Sequence, residues 1–133
     1  MTIDLKLLVA SAILSWVMLV FASVSRSRGW TPSGLELAFG NRDAMPEARP
    51  WMARADRAAK NMMENLPIFA ALLLAAHIGQ VQAERLALPA WLFFGARLAY
   101  FPIYVLGVPY LRTLVWAVSI AGLSMIAAAC LGL

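Results

Sequence analysis

The chain alternates long apolar runs with short polar stretches, and four of the runs are long enough to predict helices that cross a membrane. A helix rises about 1.5 Å per residue, so about 20 residues cross a hydrocarbon core of roughly 30 Å. The pattern therefore predicts an all-α membrane protein, with residues 1–133 forming one domain built as a four-transmembrane-helix bundle. The predicted spans cover residues 5–24, 53–79, 88–106 and 112–132.

The second predicted span carries charged residues into the membrane. Its apolar part, residues 66–79, would cover only about 21 Å, so the helix must extend backward through Glu64, Asn61 and Arg57. At 100° per residue these three side chains and Arg54 lie on one helix face. Because polar side chains at membrane depth need partners, the stripe is a candidate binding site.

The third span has Arg97 near its centre, where an unpaired arginine costs about 2.5–3.5 kcal/mol. Glu64 lies about 7 Å from it in depth, so the spacing predicts an ion pair between these two residues. Tyr100 and Tyr104 follow Arg97 at i+3 and i+7 on the same face. Together with the stripe they predict one polar cavity, although an aromatic belt at the interface is an alternative for the tyrosines.

Composition agrees with a membrane protein, because 62% of the residues are hydrophobic and 14% are charged. The net charge is +4, and most of the eleven Lys and Arg residues lie between Arg26 and Lys60. This asymmetry predicts a cytoplasmic loop and places both termini on the non-cytoplasmic side; it does not predict nucleic-acid binding. The chain shows no metal-ligand spacing, and its lone Cys130 is expected to be a packing residue.

Several local expectations follow from the same pattern. Residues 29–51 are expected to form a loop with a short turn over residues 35–39, and Pro67 to kink the second span. Asp4 is expected at the outer edge of the first span and His77 at the outer interface, where His77 is not a catalytic base. The uncharged last span is expected to be structural, with small residues that allow close packing. A cleaved signal peptide is the alternative interpretation of the first apolar run.

Two segments resemble the MAPEG family, the membrane-associated proteins in eicosanoid and glutathione metabolism, and in particular its bacterial members. The first runs from Arg57 to Phe69, with Arg57, Asn61 and Glu64 before the Pro and Phe; the second runs from Ala96 to Tyr104 and is followed by Arg112. The resemblance covers essentially the whole chain. It implies a homotrimer in the membrane, with bound lipid around it, and in a bacterium this would be the inner membrane.

The resemblance also implies a ligand and a set of roles. Glutathione would be a co-substrate held between adjacent protomers, and a lipophilic small molecule would approach from the bilayer. Arg112 would be the catalytic residue that stabilises the glutathione thiolate, since a nearby guanidinium favours the ionised thiol. The residues that would bind glutathione are Arg26, Arg57, Asn61, Glu64, Arg97, Tyr100 and Tyr104, with Arg28 as an alternative to Arg26.

The chain departs from the family pattern at three points. In one branch of the family a Gln and a Tyr stand where this chain has Ala59 and Asn65. The spacing from Tyr104 to Arg112 also differs by one residue from that of relatives. Two functions therefore stay open: a membrane-bound glutathione-dependent transferase or peroxidase acting on a lipophilic electrophile, and a non-catalytic protein of the same fold that binds a lipid or a partner protein.

Overall fold

Four long helices and one short helix make up the protein in the computed structural model, which covers residues 1–133. The helices are α1 (Ile3–Ser27), α2 (Pro32–Phe39), α3 (Pro50–Ile78), α4 (Ala83–Leu106) and α5 (Pro109–Cys130). The four long helices have the length and apolar composition needed to cross a membrane. The all-α fold with four membrane-spanning helices is therefore confirmed, and the protein is an integral membrane protein.

The connections give the two ends of the bundle distinct characters. At one end, called the hairpin end, only Gly79–Gln82 separate α3 from α4. At the other, called the loop end, residues 28–49 join α1 to α3, and Gly107–Val108 join α4 to α5. Consecutive long helices are therefore antiparallel. Helix α3 runs in the same direction as α5, and α4 runs in the same direction as α1.

The hairpin is tighter than the sequence pattern indicates. Gln80 has a φ of +57°, and the Val81 N–H donates to the Ala76 carbonyl at 2.9 Å, which closes the end of α3 in one turn. A left-handed residue at this position is usually glycine, so the sequence gives little sign of the helix end. As a result α4 starts at Ala83, five residues before the expected start of the third span.

Part of the expected loop is the helix α2. Pro32 occupies its first turn, where a missing N–H costs nothing, and Thr31 Oγ1 accepts the Gly34 N–H at 3.0 Å. A Cβ on Gly34 would lie 1.9 Å from the Arg28 carbonyl oxygen. The start of α2 therefore rests directly on the end of α1. The helix is longer than the short turn expected over residues 35–39.

Small residues allow α4 and α5 to approach closely. A Cβ on Gly122 would lie 2.7 Å from the Pro89 carbonyl oxygen and 3.1 Å from the Phe93 nitrogen. Elsewhere in the core the rings of Phe69 and Phe93 stack with centroids 4.0 Å apart, which joins α3 to α4. Helix α3 runs through Pro67 without interruption.

A polar contact at the hairpin end joins α1 to α3. His77 Nε2 lies 2.5 Å from Asp4 Oδ2, and the Asp4 side chain is fully buried. The sequence pattern treats the two residues as separate edges of their spans; the structure shows that they pair. This contact fixes the start of α1 against the end of α3.

Candidate functional site

The polar stripe of α3 lies at the edge of the bundle, and part of it faces away from the other helices. The buried face of α3 includes Ala58, Met62 and Phe69, which lie about 100–140° around the helix from Arg57. Arg57 and Glu64 are exposed, whereas Asn61, about 40° nearer the buried face, is half-buried. Of the four stripe residues, Arg54, Arg57 and Asn61 contact α4 of the same chain, and only Glu64 makes no polar contact within it.

Arg97 is bound by Asn61, so the expected ion pair with Glu64 is wrong. Arg97 Nη1 donates to Asn61 Oδ1 at 2.5 Å, and only 1% of Arg97 is exposed. Glu64 forms no ion pair within the chain, because it lies on the outward side of α3 while Asn61 lies on the side nearer α4. The depth estimate from the sequence considered Glu64 alone and left out the angle around α3, which turns Glu64 outward and Asn61 toward Arg97.

The Arg97 guanidinium lies between two aromatic rings, and two of its nitrogen atoms have no hydrogen-bond partner. Its Cζ is 5.3 Å from the Phe93 ring centroid and 5.5 Å from that of Tyr100. Its Nε and Nη2 are buried and have no hydrogen-bond partner. The Asn65 side chain also binds Asn61, because its Nδ2 donates to the Asn61 backbone carbonyl at 2.8 Å. The cation is therefore only partly satisfied by its own chain, and its positive charge lies next to Asn61 and Tyr100, which line the cleft.

Tyr104 connects the remaining candidates from three helices. Arg57 Nε on α3 donates to the Tyr104 hydroxyl at 3.3 Å, and the Arg112 guanidinium on α5 lies 4.7 Å from the Tyr104 ring centroid. The Tyr100 ring meets the Tyr104 ring edge-on at 5.3 Å. The two tyrosines thus belong to this cluster, and the interpretation as an aromatic belt alone does not describe their contacts.

These side chains border a cleft of about 240 Å³ between α3, α4 and α5. Its lining consists of Asn61, Tyr100, Tyr104, Arg112, Thr113 and Trp116. Thr113 and Trp116 were not among the residues predicted from the sequence, because the span after Arg112 was expected to be structural. The available signal was the i, i+4 spacing of Arg112 and Trp116, which places both on one face of α5.

The structure brings together six of the eight sequence-predicted site residues and leaves two apart. Four of them line the cleft. Arg57 and Arg97 do not line it, but Arg57 contacts Tyr104 and Arg97 contacts Asn61, and both of these residues do. Glu64 is exposed on α3, and Arg26 Nη1 donates instead to the Pro46 carbonyl in the loop. Within one chain, therefore, neither Glu64 nor Arg26 contributes to the cleft.

The electrostatic character of the cluster is cationic. Arg57, Arg97 and Arg112 contribute three guanidinium groups, and none of them forms an ion pair with a carboxylate of the chain. No group of three or more His, Cys, Asp or Glu side chains is placed to hold a metal ion. The arrangement can bind and stabilise an anion.

Four membrane-crossing helices, with a cationic and aromatic cleft between three of them, define a polytopic membrane protein with a polar site at the edge of its helix bundle. A protein-family model of the MAPEG family matches residues 5–132. The chain belongs to the MAPEG family, which includes glutathione transferases and related enzymes. No curated protein matches the chain. The family resemblance of the two segments is thereby confirmed.

Proposed function

We propose that the protein is a membrane-bound, glutathione-dependent transferase or peroxidase that acts on a lipophilic electrophile. The observation that carries the proposal is the cleft beside three arginines without an acidic partner. Glutathione brings two carboxylates and an ionisable thiol, so it supplies the negative charge that the cluster lacks. Arg97 is buried behind Asn61 and does not line the cleft, so its guanidinium would favour a bound carboxylate through its positive charge.

Arg112 is the proposed catalytic residue. It is half-buried, its guanidinium lies over the Tyr104 ring, and it borders the cleft. A thiol with an ordinary pKa of about 8.5 is mostly protonated at neutral pH, and a nearby guanidinium favours the thiolate. In a transferase the thiolate would form a bond to an electrophilic carbon while a leaving group departs with the electrons of its bond to that carbon. In a peroxidase it would attack a peroxide oxygen as the O–O bond breaks, and a second glutathione would complete the reduction by forming the disulfide. Positioning of the two reactants would supply the rest of the rate enhancement.

A homotrimer is part of the proposal, because the stripe of α3 is incomplete in one chain. Arg57 and Glu64 are exposed at positions that membrane helices usually shield from lipid. A second copy of the chain packed on this face would cover them, and Glu64 would then be available for the glutathione ammonium group. The basic loop supports a cytoplasmic loop end, and the bacterial inner membrane is the proposed location.

A non-catalytic lipid-binding protein is the second candidate, favoured by a groove on the outer face of α1. The groove measures about 380 Å³ and is lined by Trp16, Val17, Val20, Phe21, Val24, Ser25 and Trp30. Its lining is almost wholly apolar and suits an acyl chain. In that function the arginine cluster would serve only to hold α3, α4 and α5 together.

Glutathione binding to the detergent-purified protein, measured by calorimetry, tests the proposal before any electrophile is chosen. Each charged hydrogen bond is worth about 1.5–3 kcal/mol, so Arg57→Leu and Glu64→Gln are each expected to raise Kd by roughly 10- to 100-fold. Arg85→Leu, at the hairpin end, is the matched control and should bind normally. Absence of saturable binding by a well-folded oligomer would favour the lipid-binding alternative.

Turnover tests the role of Arg112 separately. Once an electrophile is found, Arg112→Leu should keep glutathione binding within about threefold and lose about 10²-fold or more in kcat. An unchanged kcat in Arg112→Leu would show that Arg112 does not take part in the reaction. Thiol-independent turnover would refute the mechanism as a whole.

A further inference from the structure

Helix α4 ends at a turn that has only two residues before α5 begins. The Gly107 N–H donates to the Tyr104 carbonyl at 3.0 Å, and the Val108 N–H donates to the Ile103 carbonyl at 3.2 Å. The carbonyl of the next residue, Val105, accepts from a side chain instead, Arg54 Nε, at 2.9 Å. A side chain of α3 thus caps the carboxyl-terminal end of α4, where helix geometry leaves carbonyls unpaired and favours a cation.

The Arg54 guanidinium also lies against Gly107. A Cβ on Gly107 would be 3.2 Å from Arg54 Cζ and 3.3 Å from its Nε, and Gly107 has a φ of +80°. The turn therefore depends on the absence of a side chain at Gly107 both for its backbone conformation and for its contact with Arg54. The guanidinium thus hydrogen-bonds the last turn of α4 at Val105 and packs against Gly107 in the connection to α5.

The conformation of this turn determines where Arg112 lies. Val108 caps the start of α5, and the Arg112 N–H donates to the Val108 carbonyl at 3.1 Å. With about five residues between Gly107 and Arg112, a rotation of about 20° at Gly107 would move Arg112 by roughly 3 Å. Such a movement would be enough to separate its guanidinium from the Tyr104 ring.

We propose that Arg54 is a positioning residue that fixes the α4–α5 turn and thereby holds Arg112 over Tyr104. Its neighbour one turn along α3, Arg57, binds the Tyr104 hydroxyl, so α3 fixes both partners of the Arg112–Tyr104 contact. The consequence for thiolate stabilisation rests on the function proposed above. Arg54 itself does not line the cleft and touches no reacting atom.

The test compares Arg54→Met with Arg49→Met in the full-length, detergent-purified protein. Methionine keeps much of the length and packing of the arginine stem and removes the donors. Arg49 is the matched control, because it lies at the start of the same helix, is exposed and makes no side-chain cap hydrogen bond. Both variants lose one positive charge at the loop end.

Amide hydrogen exchange measures the turn without any ligand. Arg54→Met should raise exchange of the Val108 and Arg112 amides at least tenfold, while Arg49→Met should leave it unchanged. Ultraviolet absorbance of bound glutathione then reports its thiolate. Arg54→Met should lower the thiolate fraction at a fixed pH about tenfold and change the glutathione Kd less than threefold; a purely structural loss would weaken both together.

Three results would overturn the inference. Unchanged exchange in Arg54→Met would show that the Arg54 contacts do not hold the turn. Faster exchange with an unchanged thiolate fraction would show that the turn does not control Arg112. Lost glutathione binding with normal exchange would make Arg54 a ligand contact. If the unmodified protein binds no glutathione, the proposed function fails, and the thiolate role of Arg54 fails with it, whereas the exchange result still decides the turn contact.

Discussion

The contact between Arg97 and Asn61 offers the most direct test of how the bundle holds a charge. Arg97 is 1% exposed, and its one hydrogen bond to a side chain goes to Asn61 Oδ1 at 2.5 Å. A hydrogen bond to a charged group contributes about 1.5–3 kcal/mol, and removing one partner leaves the other buried and unpaired. Asn61→Leu should therefore destabilise the protein by about 3 kcal/mol, since the buried guanidinium then has no hydrogen bond to a side chain.

A double-mutant cycle isolates this contact. Arg97→Met alone leaves Asn61 Oδ1 without its donor, at a cost of about 1–3 kcal/mol, but the double variant Asn61→Leu with Arg97→Met removes both groups. We expect a coupling energy of about 2 kcal/mol, measured as the free energy of unfolding in mixed detergent micelles by circular dichroism. The same cycle with Glu64→Gln in place of Asn61→Leu should be additive within about 0.5 kcal/mol. An additive Asn61 cycle, or a coupled Glu64 cycle, would refute the structural assignment.

Three further predictions concern stability and use the same unfolding measurement. Gly122→Leu should lower the free energy of unfolding by at least about 2 kcal/mol, because even its Cβ would lie 2.7 Å from the Pro89 carbonyl oxygen. Gly95→Ala is the control and should be tolerated, since its Cβ would meet nothing within 4 Å. Equal effects of the two substitutions would contradict the close packing of α4 and α5. Asp4→Leu should cost about 3 kcal/mol by leaving His77 without its partner, and pairing it with His77→Leu should recover part of the loss. Gly107→Ala should cost about 1–2 kcal/mol, since its φ of +80° disfavours a side chain, and an unchanged stability would argue against a fixed turn.

Sequence periodicity predicted which residues of α3 share a face but not the direction of that face. Angles around a helix are relative, so Arg57, Asn61 and Glu64 could be grouped without knowing that Ala58 and Met62 point to the core. In a soluble helix the polar face is assigned to solvent, but in a membrane helix it can face a partner, a cavity or a second chain. The orientation that assigns Arg97 to Asn61 therefore required the packed structure.

Other features were missed for reasons that differ in kind. The pairing of Asp4 with His77 joins residues far apart in the chain, and no local pattern contains it. The start of α2 was visible in principle, because Thr31 followed by Pro32 is typical of a helix N-terminus, but the helix is only 8 residues long. Trp116 was overlooked because the uncharged span after Arg112 was interpreted as structural, although the i, i+4 spacing places Trp116 on the same face of α5 as Arg112.

The division of the α3 stripe has a consequence for the proposed assembly. Asn61 turns inward to hold Arg97, and Arg57 reaches Tyr104 from the rim, while Glu64 is left on the outer surface. The fold of one chain therefore uses the amide and leaves the carboxylate free. If a second copy covers Glu64, as proposed, the fold needs one chain and the binding site needs two. Conditions that separate the protomers should then abolish glutathione binding, while the Arg97–Asn61 contact and the helix content remain. Binding by the isolated protomer would instead confine the site to the cleft between α3, α4 and α5.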